Sequence, residues 1–287
     1  MKKNNSAEET FQELLFVKES TKVYIPMSDG QDIFCQYILD DKTKSDYIIF
    51  FIQGFASGHF TWSDFWDALH EEFNMVIVDP RDKKSNELKK KSKCTIHRIA
   101  LDFIEAIKFL KLDEKKLVLF GSSIGASYVA YLVGQEMIKP KGCFLTGTSR
   151  KPRSPRMLVH FFFLLPGFAL NAIVKPIARI YMRNKLAEGF QKQIYKDRIN
   201  HVDFRRWKTC KSLHDWDATE EFRKMSSPVF IIRTPDDKYH KEDEVKIIRE
   251  LIPNCKIIDV PTYDYCHIKP GVYEFTQTIK KTILEEM

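Results

Sequence analysis

Residues 117–130 read LVLFGSSIGASYVA. The branched apolar run LVLF has the character of a buried strand, and ASYVA begins an alanine-rich helical pattern. Between them two glycines stand two residues either side of Ser123, in a chain with only 11 glycines among 287 residues. A serine nucleophile on a strand-to-helix turn needs this arrangement. Its backbone must be strained to lift the hydroxyl above the sheet edge, and the crowded turn admits only small residues at Gly121 and Gly125. The competing reading is a plain glycine-rich loop between a strand and a helix. The rest of the chain decides between them.

Working outward, 21–39 reads as two strands joined at Ser28-Asp29-Gly30, a hairpin signal. Residues 47–52 form a continuous apolar run ending in the glycine loop QGFASG, and MVIVDP at 75–80 is another short buried strand. Residues 62–73 and 95–110 have helical spacing. In the second, Ile96, Ala100, Phe103, Ile104, Ile107 and Leu110 share one face. GCFLTGTS, PVFIIRT and KIIDVP supply three later strands, with helices from about 243 to 251 and from 272 onward. Strands apolar throughout and alternating with helices imply a mostly parallel central sheet covered on both faces, an α/β architecture. Residues 149–225 hold no good strand, which divides the chain into a core, 1–148 and 226–287, and a helical insertion after the sixth strand.

A nucleophilic serine also requires a base, an orienting acid and oxyanion donors. PVFIIRTPDDKYH carries Asp236 and Asp237 just past a strand, and KIIDVPTYDYCHIKPG carries His267 shortly past the last one. Serine, then aspartate, then histidine, each beyond the carboxyl end of a successive strand, is the order such a sheet requires. The remaining histidines, His59, His70, His97, His160, His201, His214 and His240, lack that placement and read as bystanders. The loop FIQGFASG can point a backbone N–H at a developing oxyanion, so the expected donors are the N–H groups of Phe55 and Ile124.

QGF at 53–55, DPR at 79–81, GSSIGA at 121–126, PDD at 235–237 and His267 together resemble the α/β-hydrolase superfamily over almost the whole chain. The resemblance implies the α/β-hydrolase fold, with a helical lid inserted after strand 6. It also implies Ser123 as nucleophile, His267 as base and Asp237 as acid, because the family's acid sits fourth in a turn that here reads TPDD. Asp236 is the fallback, and Asp264 a weaker candidate. The chain departs from the family pattern in several places. Gln53 stands where histidine is common, with a side chain that can still brace the loop. DPRDKKS lacks the usual glycines, so that loop must take another path. Ala126 replaces a glycine, and Tyr265-Cys266 precede His267 where small residues are common. A serine at the elbow argues against the branches that use aspartate there, the haloalkane dehalogenases and epoxide hydrolases.

The net charge of +7 is unevenly placed. Residues 150–211 hold fifteen Lys or Arg against three acids, a balance of +12, so the rest of the chain carries −5. Within this segment 157–174 is strongly apolar, but His160, Pro166-Gly167 and Asn171 interrupt it, and a membrane span here would split the sheet. It reads instead as a lid whose apolar face lines an acyl pocket or packs on the core. The flanking cations, Arg150, Lys151, Arg153 and Arg156 before it and Lys175, Arg179, Arg183 and Lys185 after it, suit an anionic membrane surface or a phosphate-bearing carrier such as coenzyme A. No recognition motif supports nucleic-acid binding. Six scattered cysteines without metal spacing read as reduced thiols, and the polar N-terminus lacks a signal-peptide core. A cytoplasmic location with peripheral membrane contact is expected. The expected activity is a serine esterase of lipid metabolism acting on acyl esters with an apolar chain, with no metal or organic cofactor. The alternatives are an acyl-carrier thioesterase and a non-catalytic binding protein on the same fold.

Overall fold

Eight strands, numbered in chain order, pair into one sheet in the order β1-β2-β4-β3-β5-β6-β7-β8. The computed structural model describes residues 15–40, 45–55, 57–87, 89, 92–151, 156–185, 189–237, 240 and 242–287. A short helix, α1 (Leu15–Glu19), precedes the hairpin β1 (Thr21–Pro26) and β2 (Asp32–Ile38), which turns at Gly30 with φ 79°. Strand β2 also pairs antiparallel with β4 (Asn74–Val78); the ladders from β4 through β3 (Ile48–Ile52), β5 (Leu117–Ser122), β6 (Gly142–Thr146) and β7 (Val229–Arg233) to β8 (Cys255–Asp259) are parallel.

The central strands are apolar at every position because both faces of the sheet are covered. In β3, Ile48, Phe50 and Ile52 enter one core cluster while Ile49 and Phe51 enter the other, as the two-residue repeat of a strand dictates. The first cluster is closed by α3 (Ile96–Phe109), α4 (Ile124–Gly134) and α10 (Glu242–Leu251); the second by α1, α2 (His59–His70) and α11 (Gly271–Glu286). Thr95 caps α3 by accepting the N–H of Arg98, which fixes where that helix starts. The sheet therefore aligns the carboxyl ends of β3, β5, β7 and β8 along one edge, and the sequence-derived site residues lie beyond these ends.

Among the described residues, five α-helices lie between β6 and β7: α5 (Arg156–Leu164), α6 (Gly167–Lys185), α7 (Phe190–His201), α8 (Phe204–Thr209) and α9 (Thr219–Arg223). The apolar stretch 157–174 is split between α5 and α6, and among the described residues no helix is long and apolar enough to cross a membrane. Phe162, Leu170, Val174, Val202 and Phe204 form a small core of their own, and Phe55 packs against it from the loop after β3. From Cys210 onward the insertion packs into the main core through Leu213, Ala218 and Phe222.

The cysteines are not all reduced thiols, contrary to the expectation from their spacing. Cys94 and Cys210 are disulfide-bonded across a sequence separation of 116, with Cα atoms 4.9 Å apart, while Cys35, Cys143, Cys255 and Cys266 are free. Sequence spacing carried no sign of the pair, because only the folding of the insertion onto α3's N-terminal approach brings them together. The bond also removes the cysteine argument for a reducing compartment.

Candidate active site

Ser123 sits between β5 and α4 with φ 55° and ψ −123°, a backbone conformation that is costly for a residue with a side chain. Packing enforces it. A Cβ on Gly121 would stand 2.7 Å from Ala126 Cα, and one on Gly125 would collide with the carbonyl of Ile52. The turn is closed by the Ser123 N–H donating to the Thr146 carbonyl at 2.9 Å and the Ala126 N–H donating to the Ser123 carbonyl at 2.9 Å. These contacts distinguish a strained elbow from a flexible loop.

The partner of the serine is a finding that the sequence order did not supply. His240 Nε2 lies 3.2 Å from Ser123 Oγ, and His240 Nδ1 lies 2.7 Å from Asp237 Oδ2. The backbone N–H of His240 donates to Asp237 Oδ1 at 3.1 Å, so one carboxylate fixes both the ring and the chain that carries it. This hydrogen-bond pattern assigns the proton to Nδ1, leaving Nε2 to accept from the serine hydroxyl. Room for the ring comes from Gly147, after β6, where a Cβ would come within 2.9 Å of His240 Nδ1. Asp237 is nearly fully buried, whereas the imidazole keeps some access to solvent.

His267, the expected base, is instead occupied elsewhere. Its Nδ1 lies 2.8 Å from the Tyr263 carbonyl, and its Nε2 is buried without a hydrogen-bond partner. The ring stacks on Tyr263 at 4.2 Å between centroids and lies 4.3 Å from Trp62, with Phe190 of α7 further out. Burial pushes the imidazole down to about 4, and the nearby Arg198 cation acts in the same direction. The structure thus brings Ser123 and Asp237 together through His240, not through His267. The signal available in the sequence was the spacing D-x-x-H in PDDKYH, which places acid and base within one turn. Asp236, the fallback acid, faces away and accepts the Tyr263 N–H at 2.6 Å. Asp264 caps the turn that carries His267 through its carbonyl, which takes the His267 N–H at 2.9 Å.

The proposed oxyanion donors flank the same serine. Ile124 opens α4 immediately after Ser123, so its N–H belongs to the electropositive start of that helix. Phe55 follows Gly54, where a Cβ would stand 2.9 Å from Ser123 Cβ; only glycine lets this loop approach so closely. Gln53 anchors the loop from below, its Nε2 donating to Asp79 Oδ1 at 2.7 Å, while Ser85 Oγ donates to Asp79 Oδ2 at 2.6 Å.

The glycine-free loop DPRDKKS takes its own path. Arg81, fully buried, binds Asp102 through both Nε and Nη2, at 2.6 and 2.5 Å, and Asp29 at 2.8 Å. This turns Lys83 inward, where its Nζ donates to the Ser57 carbonyl of the loop that holds Phe55. Burial pushes the Lys83 amine down to about 8. From α7, Arg198 brings a guanidinium whose Nε is buried without a hydrogen-bond partner, 5.0 Å between its Cζ and the Tyr195 ring.

Neither a protein-family profile nor a curated protein sequence matches the chain. Solved structures do. A hydrolase from Pseudomonas aeruginosa PA01 is 14% identical with a TM-score of 0.70, covering 93% of this chain and 97% of that one. The enol-lactonase from Burkholderia xenovorans LB400 is 16% identical with a TM-score of 0.71, covering 92% and 100%. An esterase from Exiguobacterium antarcticum is 14% identical with a TM-score of 0.73, again covering 92% and 100%. The chain has the α/β-hydrolase fold, as the elbow and the strand order require.

Proposed function

We propose that the protein is a serine hydrolase that cleaves carboxylic esters with an apolar acyl chain. The observation that carries this reading is the continuous chain of contacts from Ser123 Oγ through His240 to Asp237, on a serine held at φ 55°. His240 Nε2 takes the hydroxyl proton as Ser123 Oγ attacks the acyl carbonyl, and Asp237 stabilises the imidazolium that forms. The N–H groups of Phe55 and Ile124 receive the negative charge that develops on the carbonyl oxygen. Collapse of the tetrahedral intermediate breaks the ester bond, and His240 returns the proton to the leaving alcohol. Water then attacks the acyl-enzyme, giving its proton to His240, and the acid departs as Ser123 regains its hydrogen. The five-residue apolar cluster against Phe55 favours an apolar acyl group beneath a helical lid.

A fluorophosphonate probe tests the reading directly. Labelling of the folded wild-type chain that disappears in Ser123→Ala is the expected result; a well-folded chain that never labels would overturn it. A series of p-nitrophenyl esters of increasing chain length should show rising kcat/KM toward longer acyl groups. A matched long-chain acyl-CoA separates ester from thioester preference.

A further inference from the structure

Among the described residues eleven large hydrophobics are exposed, and five of them fall within 161–180: Phe161, Leu164, Ile173, Ile177 and Ile180. On α5, Phe161 and Leu164 are three residues apart and point outward, Leu164 at 82% exposure, while Phe162 between them faces the insertion's core. On α6, Leu170 and Val174 are buried. The exposed side of the same helix carries Ile173, Pro176, Ile177 and Ile180, at the spacing of a single helical stripe. A soluble surface rarely concentrates apolar side chains this way without a partner.

The rim of the stripe is cationic. Lys175 Nζ donates to the Asn200 carbonyl at 3.1 Å and Arg179 Nη2 to Asn200 Oδ1 at 2.9 Å, which holds both along one side of α6. Lys208 Nζ donates to the Leu165 carbonyl at 2.9 Å, beside the turn that presents Leu164. Of the other cations read from the sequence, Arg153 and the side chains of Arg156, Arg183 and Lys185 lie outside the described residues. Charge selects the occupant. A second copy docking through this face would set Lys175, Arg179 and Lys208 against the same cations of the other copy, a repulsive pairing. Nucleic acid would offer phosphates to the rim but nothing for three isoleucines and a leucine. An anionic bilayer matches both parts: acyl chains accept the apolar stripe, and headgroups meet the lysines and arginines around it.

We propose that the α5–α6 face of the insertion docks on an anionic lipid bilayer, with Phe161, Leu164, Ile173, Ile177 and Ile180 entering the headgroup boundary and Lys175, Arg179 and Lys208 meeting lipid phosphates and carboxylates. This surface does not depend on the reaction at Ser123, so the test uses the full chain carrying Ser123→Ala, which cannot alter the lipid. Co-sedimentation is measured with vesicles of phosphatidylcholine alone and with about one part in three phosphatidylserine. The protein should bind the mixed vesicles about tenfold or more tightly than the neutral ones and be released as salt is raised. Adding Leu164→Ser, Ile177→Ser and Ile180→Ser should weaken binding by about tenfold or more with an unchanged circular dichroism spectrum. Adding instead Lys175→Glu, Arg179→Glu and Lys208→Glu should abolish the preference for the anionic lipid. No binding to the mixed vesicles at low salt, or binding that the serine substitutions leave untouched, overturns the proposal. A chain that ignores vesicles but sediments as a dimer broken by Leu164→Ser also overturns it, and assigns the face to a second copy.

Discussion

Two loops at the carboxyl edge of the sheet each carry a histidine, and their surroundings differ in kind. The loop after β7 gives His240 a carboxylate on one nitrogen, a serine hydroxyl on the other and partial access to solvent. The turn after β8 gives His267 a carbonyl on one nitrogen, nothing on the other and an aromatic enclosure of Tyr263, Trp62 and Phe190. A base must be able to gain and lose a proton in working conditions and to stabilise the charged form. His240 has the Asp237 carboxylate on its Nδ1. His267 sits where charge is penalised. Position beyond a strand end brings both rings to this edge, and the partner on the far nitrogen separates a ring held by a carboxylate from one held by a carbonyl.

Removing each ring in turn separates the two histidines by their effect on turnover. His240→Ala should lower kcat/KM for an apolar p-nitrophenyl ester by about 10⁵-fold or more, whereas His267→Phe should stay within about tenfold of wild type. The reverse ranking would return the base to His267. The same logic applies to the carboxylates, with a smaller loss. Asp237→Asn should leave the fold intact and reduce kcat by about 10³–10⁴-fold by disturbing the His240 tautomer, and Asp236→Asn should cost less than about tenfold. Equal losses from the two would mean that the loop is needed as a whole and not through Asp237.

The third measurement concerns stability. The imidazole of His267 is at about 4 in the folded chain and near its ordinary 6.5 when unfolded. The unfolded chain therefore binds more protons between these values, and the contribution of neutral His267 is complete above 6.5 and lost as pH falls toward 4. The full difference corresponds to at most about 3 kcal/mol. The midpoint of urea unfolding, followed from pH 7 to pH 4.5, should fall less steeply in His267→Phe than in wild type. His214, also pushed down to about 4 by burial, contributes to both and cancels in the comparison. Parallel curves would show that His267 binds protons equally in the folded and unfolded chain, contrary to its enclosure.

The fold was legible because its signals are local. Apolar runs at 48–52 and 117–120 declare strands buried on both sides, and Gly121 and Gly125 around Ser123 declare a tight turn whose crowding the structure displays. Asp237 was legible as a residue just past a strand. The contact of His240 with Ser123 was not, because ordering by strand ends ranks His267 first and is blind to the three-residue step from Asp237 to His240. The pairing of Cys94 with Cys210 was hidden for a different reason. Nothing in a sequence marks two cysteines 116 residues apart unless the path between them is known. The aromatic insertion was half legible: its helical character was read from the lack of any strand pattern in 149–225, but which apolar residues face outward depends on how α5 and α6 lie on the rest.

The bond between Cys94 and Cys210 encloses Ser123 within a covalent ring of chain, while Asp237 and His240 lie outside it. A protease that cut once between Ser123 and Cys210 would put the serine and its histidine on separate polypeptides. Those polypeptides would still be one molecule. On a gel without reductant the nicked protein would migrate as a single species of 287 residues, and only on reduction would it part into two fragments.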